Sequence, residues 1–221
     1  MQLIPKQLVV GLFTPTGLPG TADQLTPDKI NRAWAELASR HGYTQLQLAP
    51  DGTAANFLGA TPEDGITIQP PLLQFRTSVR TTVEQAGDSA QDALKALTRQ
   101  LGASSFQQLG VKVIIWAVAP DNDAAGFVLH RVFARSEDEL AILSGAGSLM
   151  TGAKFIVRDA ASVHTVLVEP LLRDPKFLFL EVDAQFAGAA DLDRIVTRVK
   201  DVDVFLTRTV AGFLEGLGPA K

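Results

Sequence analysis

The amino-acid sequence predicts an α+β protein in which two βαβ-rich halves form one antiparallel sheet, with helices packed on one face and a long helix at the C-terminus. Three observations predict it: a long helical periodicity from Asp191 to Leu217, a β-branched run at Val111 to Val118, and a similar order of segments in the two halves. The chain has 221 residues, of which 46% are hydrophobic and 20% charged, so we expect residues 1–221 to form a single domain.

The C-terminal segment has the longest uninterrupted periodicity in the chain. Its apolar residues recur at steps of three and four, which is the spacing of one face of an α-helix. They are Leu192, Ile195, Val196, Val199, Val202, Leu206, Val210, Phe213, Leu214 and Leu217. Asp191 is a suitable N-cap. Roughly 26 residues at about 1.5 Å each make a helix about 40 Å long, which can lie across a small sheet.

The first half of the chain begins with an apolar run at Gln7 to Phe13, which predicts a buried strand. Thr26 and Pro27 then predict the start of a helix that ends at His41 and Gly42. Four further segments predict strands: 43–48, 54–58, 66–68 and 72–79. A second helix is predicted from Asp88 or Ser89 to Leu101, with Gly102 as its stop.

The second half opens with Val111 to Val118, which is nearly all β-branched or aromatic and predicts a central strand. Phe127 to Phe133 is predicted as its hairpin partner. Ser136 and Glu139 form a capping box for a short helix through Leu143. Three more strands are predicted at 154–157, 163–168 and 177–186, and the C-terminal helix follows them.

The two halves repeat the same order of elements at an offset of about a hundred residues. Each half has an apolar strand, a proline, a loop, a helix, further strands and a closing helix. This order predicts pseudo-repeats at about 7–102 and 110–218, joined at 103–110. The extra strand predicted at 127–133 has no counterpart in the first half.

Two short motifs, Leu109-Gly110-Val111-Lys112-Val113 and Phe179-Leu180-Glu181-Val182-Asp183, precede the C-terminal helix in the second half. In these motifs and in its order of segments, the chain resembles a sporadically distributed family of uncharacterised bacterial proteins. The resemblance implies a duplicated α+β fold with a long C-terminal helix. It implies no activity, because that family has none that can be carried over.

Composition excludes several classes of function. The net charge is −4, the sequence pI is about 5.4, and no stretch concentrates lysine and arginine, which argues against a general nucleic-acid or anionic-membrane binder. Cysteine is absent, which excludes disulfides, thiolate catalysis and cysteine-ligated metals. We find neither a leader pattern nor a long apolar window, and we therefore expect a cytoplasmic protein without a membrane span or a cofactor.

One cluster of residues is a candidate for chemistry. Glu181 and Asp183 are two apart on a predicted strand, so their side chains share a face at a separation of about 7 Å. His164 on the preceding strand is a candidate third ligand if it faces the same side. These residues define one alternative, a metal- or carboxylate-dependent hydrolase. The other interpretation of the acidic pair is a solvated surface of the sheet.

The main hypothesis is a non-catalytic binding or protein-interaction module. A long helix lying across a curved sheet leaves a groove, which can hold an apolar small molecule, and an exposed sheet face can bind a protein partner. Phe205 lies off the main apolar stripe of the helix, so it is the candidate interface residue for a homo-oligomer.

Overall fold

The computed structural model describes residues 1–13, 26–103, 105–134 and 150–217. Within these ranges the chain forms one nine-stranded sheet. The strands are β1 Leu3–Phe13, β2 Gln45–Leu48, β3 Ala55–Leu58, β4 Gly65–Gln69, β5 Leu72–Ser78, β6 Gln108–Val118, β7 Ala153–Arg158, β8 Ser162–Pro170 and β9 Phe177–Ala187.

The helices of the described residues are α1, α2, α3 and the C-terminal helix. Their bounds are Pro27–His41 for α1, Val83–Leu101 for α2, and Ala124–Phe127 for α3, which continues as the π-helical turn Val128–Val132. The C-terminal helix spans residues 192–216, as a 3₁₀ turn Leu192–Arg194, an α-helix Ile195–Val204, a π-helical segment Phe205–Val210 and an α-helix Ala211–Gly216. Among the helices described, none is long and apolar enough to cross a membrane.

All neighbouring strands are antiparallel, in the order β2-β3-β4-β5-β1-β6-β9-β8-β7. The two first strands of the predicted halves, β1 and β6, therefore pair at the centre, with Val10 opposite Val111. Side chains alternate between the two faces of a strand, and directly opposed residues share a face. The register carries one buried apolar face across the sheet, from Phe57 in β3 to Phe155 in β7.

The helices cover this apolar face. α1 begins at Pro27 because the Thr26 hydroxyl accepts a hydrogen bond from the Lys29 backbone N–H, and it ends at Gly42 in the left-handed conformation that glycine favours. α2 and the C-terminal helix pack closely together, since Gly87 faces Val199. The C-terminal helix buries Ile195, Val199, Val202, Leu206, Val210 and Leu214. The predicted C-terminal helix and the predicted strands other than 127–133 are therefore confirmed.

Two predictions of local structure are wrong. The segment 127–133 was predicted as a strand but is helical, because Val128 and Val132 are also one helical turn apart and Phe127 and Val128 are buried against the sheet. α2 begins at Val83, several residues before the prediction, because the Thr82 hydroxyl caps the Gln85 backbone N–H. The helix predicted at 136–143 lies outside the described residues.

Each half places its first strand at the centre of the sheet and its later strands outward. The halves are not identical, because four strands follow α1 whereas three follow α3 among the described residues. The internal duplication stays a prediction.

Candidate binding groove

An apolar cavity of about 180 Å³ lies between the C-terminal helix and the edge of the sheet formed by β7 and β8. Its floor is the helix-covered face of the two strands, where Phe155 lies opposite Val166 and Ala153 lies opposite Val168. The residues that line it are Phe155, Val157, Val166, Val168, Phe205, Thr209, Val210 and Phe213. We call this cavity the apolar groove.

The π-helical segment of the C-terminal helix forms the opposite wall. Within this segment Leu206 and Val210 are buried, and Phe205, Thr209 and Val210 line the groove. The Thr207 hydroxyl donates a 2.7 Å hydrogen bond to the Asp203 carbonyl four residues earlier, as threonines within helices commonly do.

Aromatic rings define both ends of the groove. The Phe155 and Phe213 rings meet edge to face, with centroids 5.9 Å apart. The Phe205 ring meets His164 edge to face at 4.5 Å. Phe213 is 50% exposed and Val157 is 48% exposed, so the groove opens to solvent along one side.

The lining of the groove is hydrocarbon apart from one side chain. Thr209 is exposed and has the only side-chain hydroxyl among the described lining residues, and none of these residues is charged. A site of this composition binds apolar molecules and can orient one polar group through the hydroxyl.

His164 lies beside the groove. Its Nε2 is 3.1 Å from the Ser162 hydroxyl, and that hydroxyl donates a 2.8 Å hydrogen bond to Asp159. The His164 Nδ1 is buried and has no hydrogen-bond partner among the described residues. Burial lowers the pKa of His164, against the opposing effect of the charges of Asp159 and Asp201, so the ring is neutral near pH 7.

The candidate acidic pair lies on the other face of the sheet. Glu181 and Asp183 share that face, as expected from their spacing, and both approach Lys112, whose Nζ is 2.9 Å from Glu181 Oε1 and 3.7 Å from Asp183 Oδ2. His164 is opposite Ala184, a buried residue of the helix-covered face. The structure therefore separates His164 from the two acids by the sheet. The hydrolase alternative needs all three at one site, and this geometry does not provide one.

No cluster of three or more potential metal-ligating side chains occurs in the part of the chain that the structure describes. The Lys112 ammonium instead compensates the charge of the acidic pair. An acidic pair with a lysine between its carboxylates is explained by surface electrostatics alone.

Comparisons with known proteins give little further information. No protein-family model and no curated protein matches the chain. Among the solved structures that match it is one described as "Structure of Rolling Circle Replication Initiator Protein from Geobacillus stearothermophilus", with 12% sequence identity and a TM-score of 0.28. The match covers 96% of this chain and 84% of that chain. A likeness at this level does not establish a shared fold, and no inference about function follows from it.

Sequence reasoning predicted a groove between the sheet and the C-terminal helix but assigned no residue to it, and it named Phe205 only as a candidate interface residue of a homo-oligomer. Phe205 is half-buried and contacts His164, whereas Phe213 and Val204 are the more exposed apolar residues of the helix. Phe155 and Val157 were not singled out. Their signal is the apolar run Phe155-Ile156-Val157, which makes both faces of a short edge strand apolar.

Proposed function

We propose that this chain is a non-catalytic binding module that holds a small apolar molecule in the groove between β7, β8 and the C-terminal helix. The observation that carries the proposal is a cavity lined by seven apolar side chains and one hydroxyl. Apolar side chains with a few polar groups are the usual lining of small-molecule sites.

The size of the groove limits the ligand. An apolar cavity of about 150 Å³ accommodates a benzene-sized molecule, and the apolar groove measures about 180 Å³. The bound part of the ligand is therefore a single ring or a short branched chain. A longer molecule extends through the open side past Val157 and Phe213, which are both about half exposed.

The groove supports binding rather than catalysis. Its lining offers neither an acid nor a base, and His164, which packs against Phe205, is neutral near pH 7. General acid–base chemistry needs a titratable group within hydrogen-bond reach of the reacting atom. A ligand that fills the groove contacts hydrocarbon on nearly every side.

The test is titration with an uncharged solvatochromic dye, Nile red, monitored by its emission shift. Thr209→Trp places an indole in the groove from an exposed position, so we expect it to abolish saturable binding. Thr207→Trp is the matched control, because Thr207 is also exposed on the same helix and does not line the groove. Equal dye binding by the two variants, or no saturable binding by the unsubstituted protein, would refute the proposal.

Native mass spectrometry of the freshly purified protein tests the same site without a probe. A mass above that of the chain, lost in the Thr209→Trp variant, identifies a retained ligand and its compound class.

The hydrolase alternative is tested separately by melting the protein with Mg²⁺, Mn²⁺ or Zn²⁺. A bound metal stabilises the native state by mass action, and an unchanged melting temperature contradicts that alternative.

A further inference from the structure

A second and larger cavity, of about 390 Å³, lies on the same helix-covered face towards the other end of the sheet, between α1, α2 and β5. We call it the polar cleft. It brings together the end of α1, the start of α2 and the last residues of β5, which are far apart in the sequence. Its lining includes the rings of His41, Tyr43 and Phe75 and the hydroxyl-bearing residues Thr81, Thr82 and Ser89.

Tyr43 is the residue that points most directly to a ligand. It is only 6% exposed, yet its hydroxyl makes no hydrogen bond within the described residues. Because Tyr43 lines the cavity, its hydroxyl is available to hydrogen-bond a molecule held there. Burial raises the pKa of Tyr43, and the charge of Asp64 adds to this, so the phenol stays protonated and can donate.

His41 provides a second aromatic ring in the same wall, with its Nε2 directed at the Asp92 carboxylate. Its ring stacks on Tyr43 with centroids 6.0 Å apart, and its Nε2 is buried. The Asp92 carboxylate is 3.3 Å from Nε2, but the geometry is not that of a hydrogen bond. Burial lowers the pKa of His41, although Asp92 opposes this effect, so the imidazole is neutral near pH 7.

The electrostatics of the cleft favour an anion. Arg40 and Arg80 line its rim. Arg40 is ion-paired with Glu36 and Asp92 and Arg80 with Asp64, but their side chains are 50% and 70% exposed, so both can turn from these partners towards a ligand. The first turn of α2 adds backbone N–H groups and the positive end of the helix dipole, beginning after the Thr82 cap. The whole chain carries a net charge of −4, so this positive region runs against the overall charge.

Two other charged residues of the lining have structural roles. Asp64 accepts hydrogen bonds from the Ser78 backbone N–H at 2.8 Å, from the Thr61 and Thr77 hydroxyls at 3.0 Å, and from Arg80 at 2.7 Å. Arg76 alternates with Phe75, so its side chain extends over the opposite face of the sheet towards Gly65 and Thr67. Arg40 is paired with the Glu36 and Asp92 carboxylates, at 3.4 and 3.5 Å, so the donors of the cleft without such a partner are Tyr43 and the α2 N-terminus.

We propose that the polar cleft binds a small phosphorylated molecule, with its phosphate at the N-terminus of α2 between Arg40 and Arg80 and its polar body against the Tyr43 hydroxyl. A phosphate accepts hydrogen bonds at several oxygens, which suits guanidinium groups, hydroxyls and backbone N–H groups arranged around one point. The cavity exceeds the volume of a phosphate, so a hydroxyl-rich body the size of a sugar fits beside it. This site is separate from the apolar groove.

The test is isothermal titration calorimetry at low ionic strength with ribose 5-phosphate, inorganic phosphate, ribose and malonate. We expect saturable binding of ribose 5-phosphate, weaker binding of inorganic phosphate, and none of ribose. Malonate separates a phosphate site from a general carboxylate site. Malonate binding as tight as that of ribose 5-phosphate would overturn the phosphate assignment.

Three variants locate the site. Tyr43→Phe removes one hydroxyl without changing the ring and should weaken ribose 5-phosphate binding by about five- to tenfold. Arg80→Gln should weaken it by about ten- to a hundredfold, because it removes a charged donor. Arg158→Gln is the matched control, since Arg158 is an exposed residue of the edge strand β7. An equal loss in Arg158→Gln, or no saturable binding of either phosphate, would overturn the proposal.

Discussion

The contact between α2 and the C-terminal helix gives the sharpest prediction about stability. Gly87 is buried in α2, and a Cβ atom built there would lie 3.0 Å from Val199 Cγ1 and 3.2 Å from Val199 Cβ. Real Cβ atoms rarely approach another atom so closely. Glycine at position 87 is therefore required by the approach of the neighbouring helix, although glycine within a helix costs about 1 kcal/mol relative to alanine.

The sign of the Gly87→Ala effect depends on Val199. In the unsubstituted protein the substitution gains about 1 kcal/mol of helix propensity, but overpacking costs about 1–3 kcal/mol, so we expect a net loss of about 1 kcal/mol. Val199 is fully buried, and Val199→Ala alone should cost about 2 kcal/mol through lost burial and a cavity. In that background the 3.0 Å contact with Cγ1 is removed but the 3.2 Å contact with Cβ remains, so the gain in helix propensity and the remaining overlap should offset each other and Gly87→Ala should be about neutral.

The assay is urea-induced unfolding of the four proteins of this double-mutant cycle, monitored by circular dichroism. We expect a coupling energy of about 1 kcal/mol between the two positions, which is above the additivity error of about 0.5 kcal/mol. Each kcal/mol should shift the melting temperature by about 2–4 °C in a chain of this size. If Gly87→Ala has the same effect on the free energy of unfolding in both backgrounds, the result contradicts the close contact between the two helices at Gly87 and Val199.

Three further predictions concern a buried acid, a helix cap and self-association. Asp64→Asn should lower the free energy of unfolding by about 2 kcal/mol near pH 7. Burial raises the pKa of Asp64, but its hydrogen bonds and the charge of Arg80 outweigh this effect, so the pKa in the folded protein is below that in the unfolded chain. The stability that Asp64 contributes is therefore present above the unfolded-state pKa and is lost as the pH falls through the folded-state pKa. Unfolding from pH 7 to 3 measures the difference, and a constant gap over that range would contradict it. Thr82→Ala should lower the free energy of unfolding by about 1 kcal/mol, because it removes the α2 cap. Urea unfolding measures this loss, and Thr81→Ala is the control, since it removes no cap and should cost less. If the chain self-associates through its C-terminal helix, Phe205→Asp should lower the mass found by sedimentation equilibrium, and an unchanged mass contradicts that interface.

Segments with strong local signals were predictable from the sequence. The Thr26-Pro27 start and Gly42 stop fix α1, and the long apolar stripe fixes the C-terminal helix. The segment 127–133 was mispredicted because residues four apart share a face both in a strand, with its period of two, and in a helix, with its period of about 3.6. Only packing against the sheet decides between the two structures. The start of α2 was missed because Gly87 and the polar residues before it resemble a loop.

The faces of the sheet could not be predicted for residues on different strands. Glu181 and Asp183 share a face by their spacing alone, whereas His164 depends on the turn that sets the register between β8 and β9. The residues that line the two cavities could not be predicted for the same reason. The apolar groove depends on Phe155 being opposite Val166, and the polar cleft depends on packing between Tyr43 and the start of α2.

The central position of β1 and β6 has a consequence for how the chain reaches its native state. The outer strands form hairpins between neighbours in sequence, such as β3 with β4 and β7 with β8, and hairpins of this kind form within microseconds. The pairing of Val10 with Val111 joins residues about a hundred positions apart, and contacts at this separation slow folding because the loop must close first. The two outer meanders are therefore expected to form early, and the central pair joins them late.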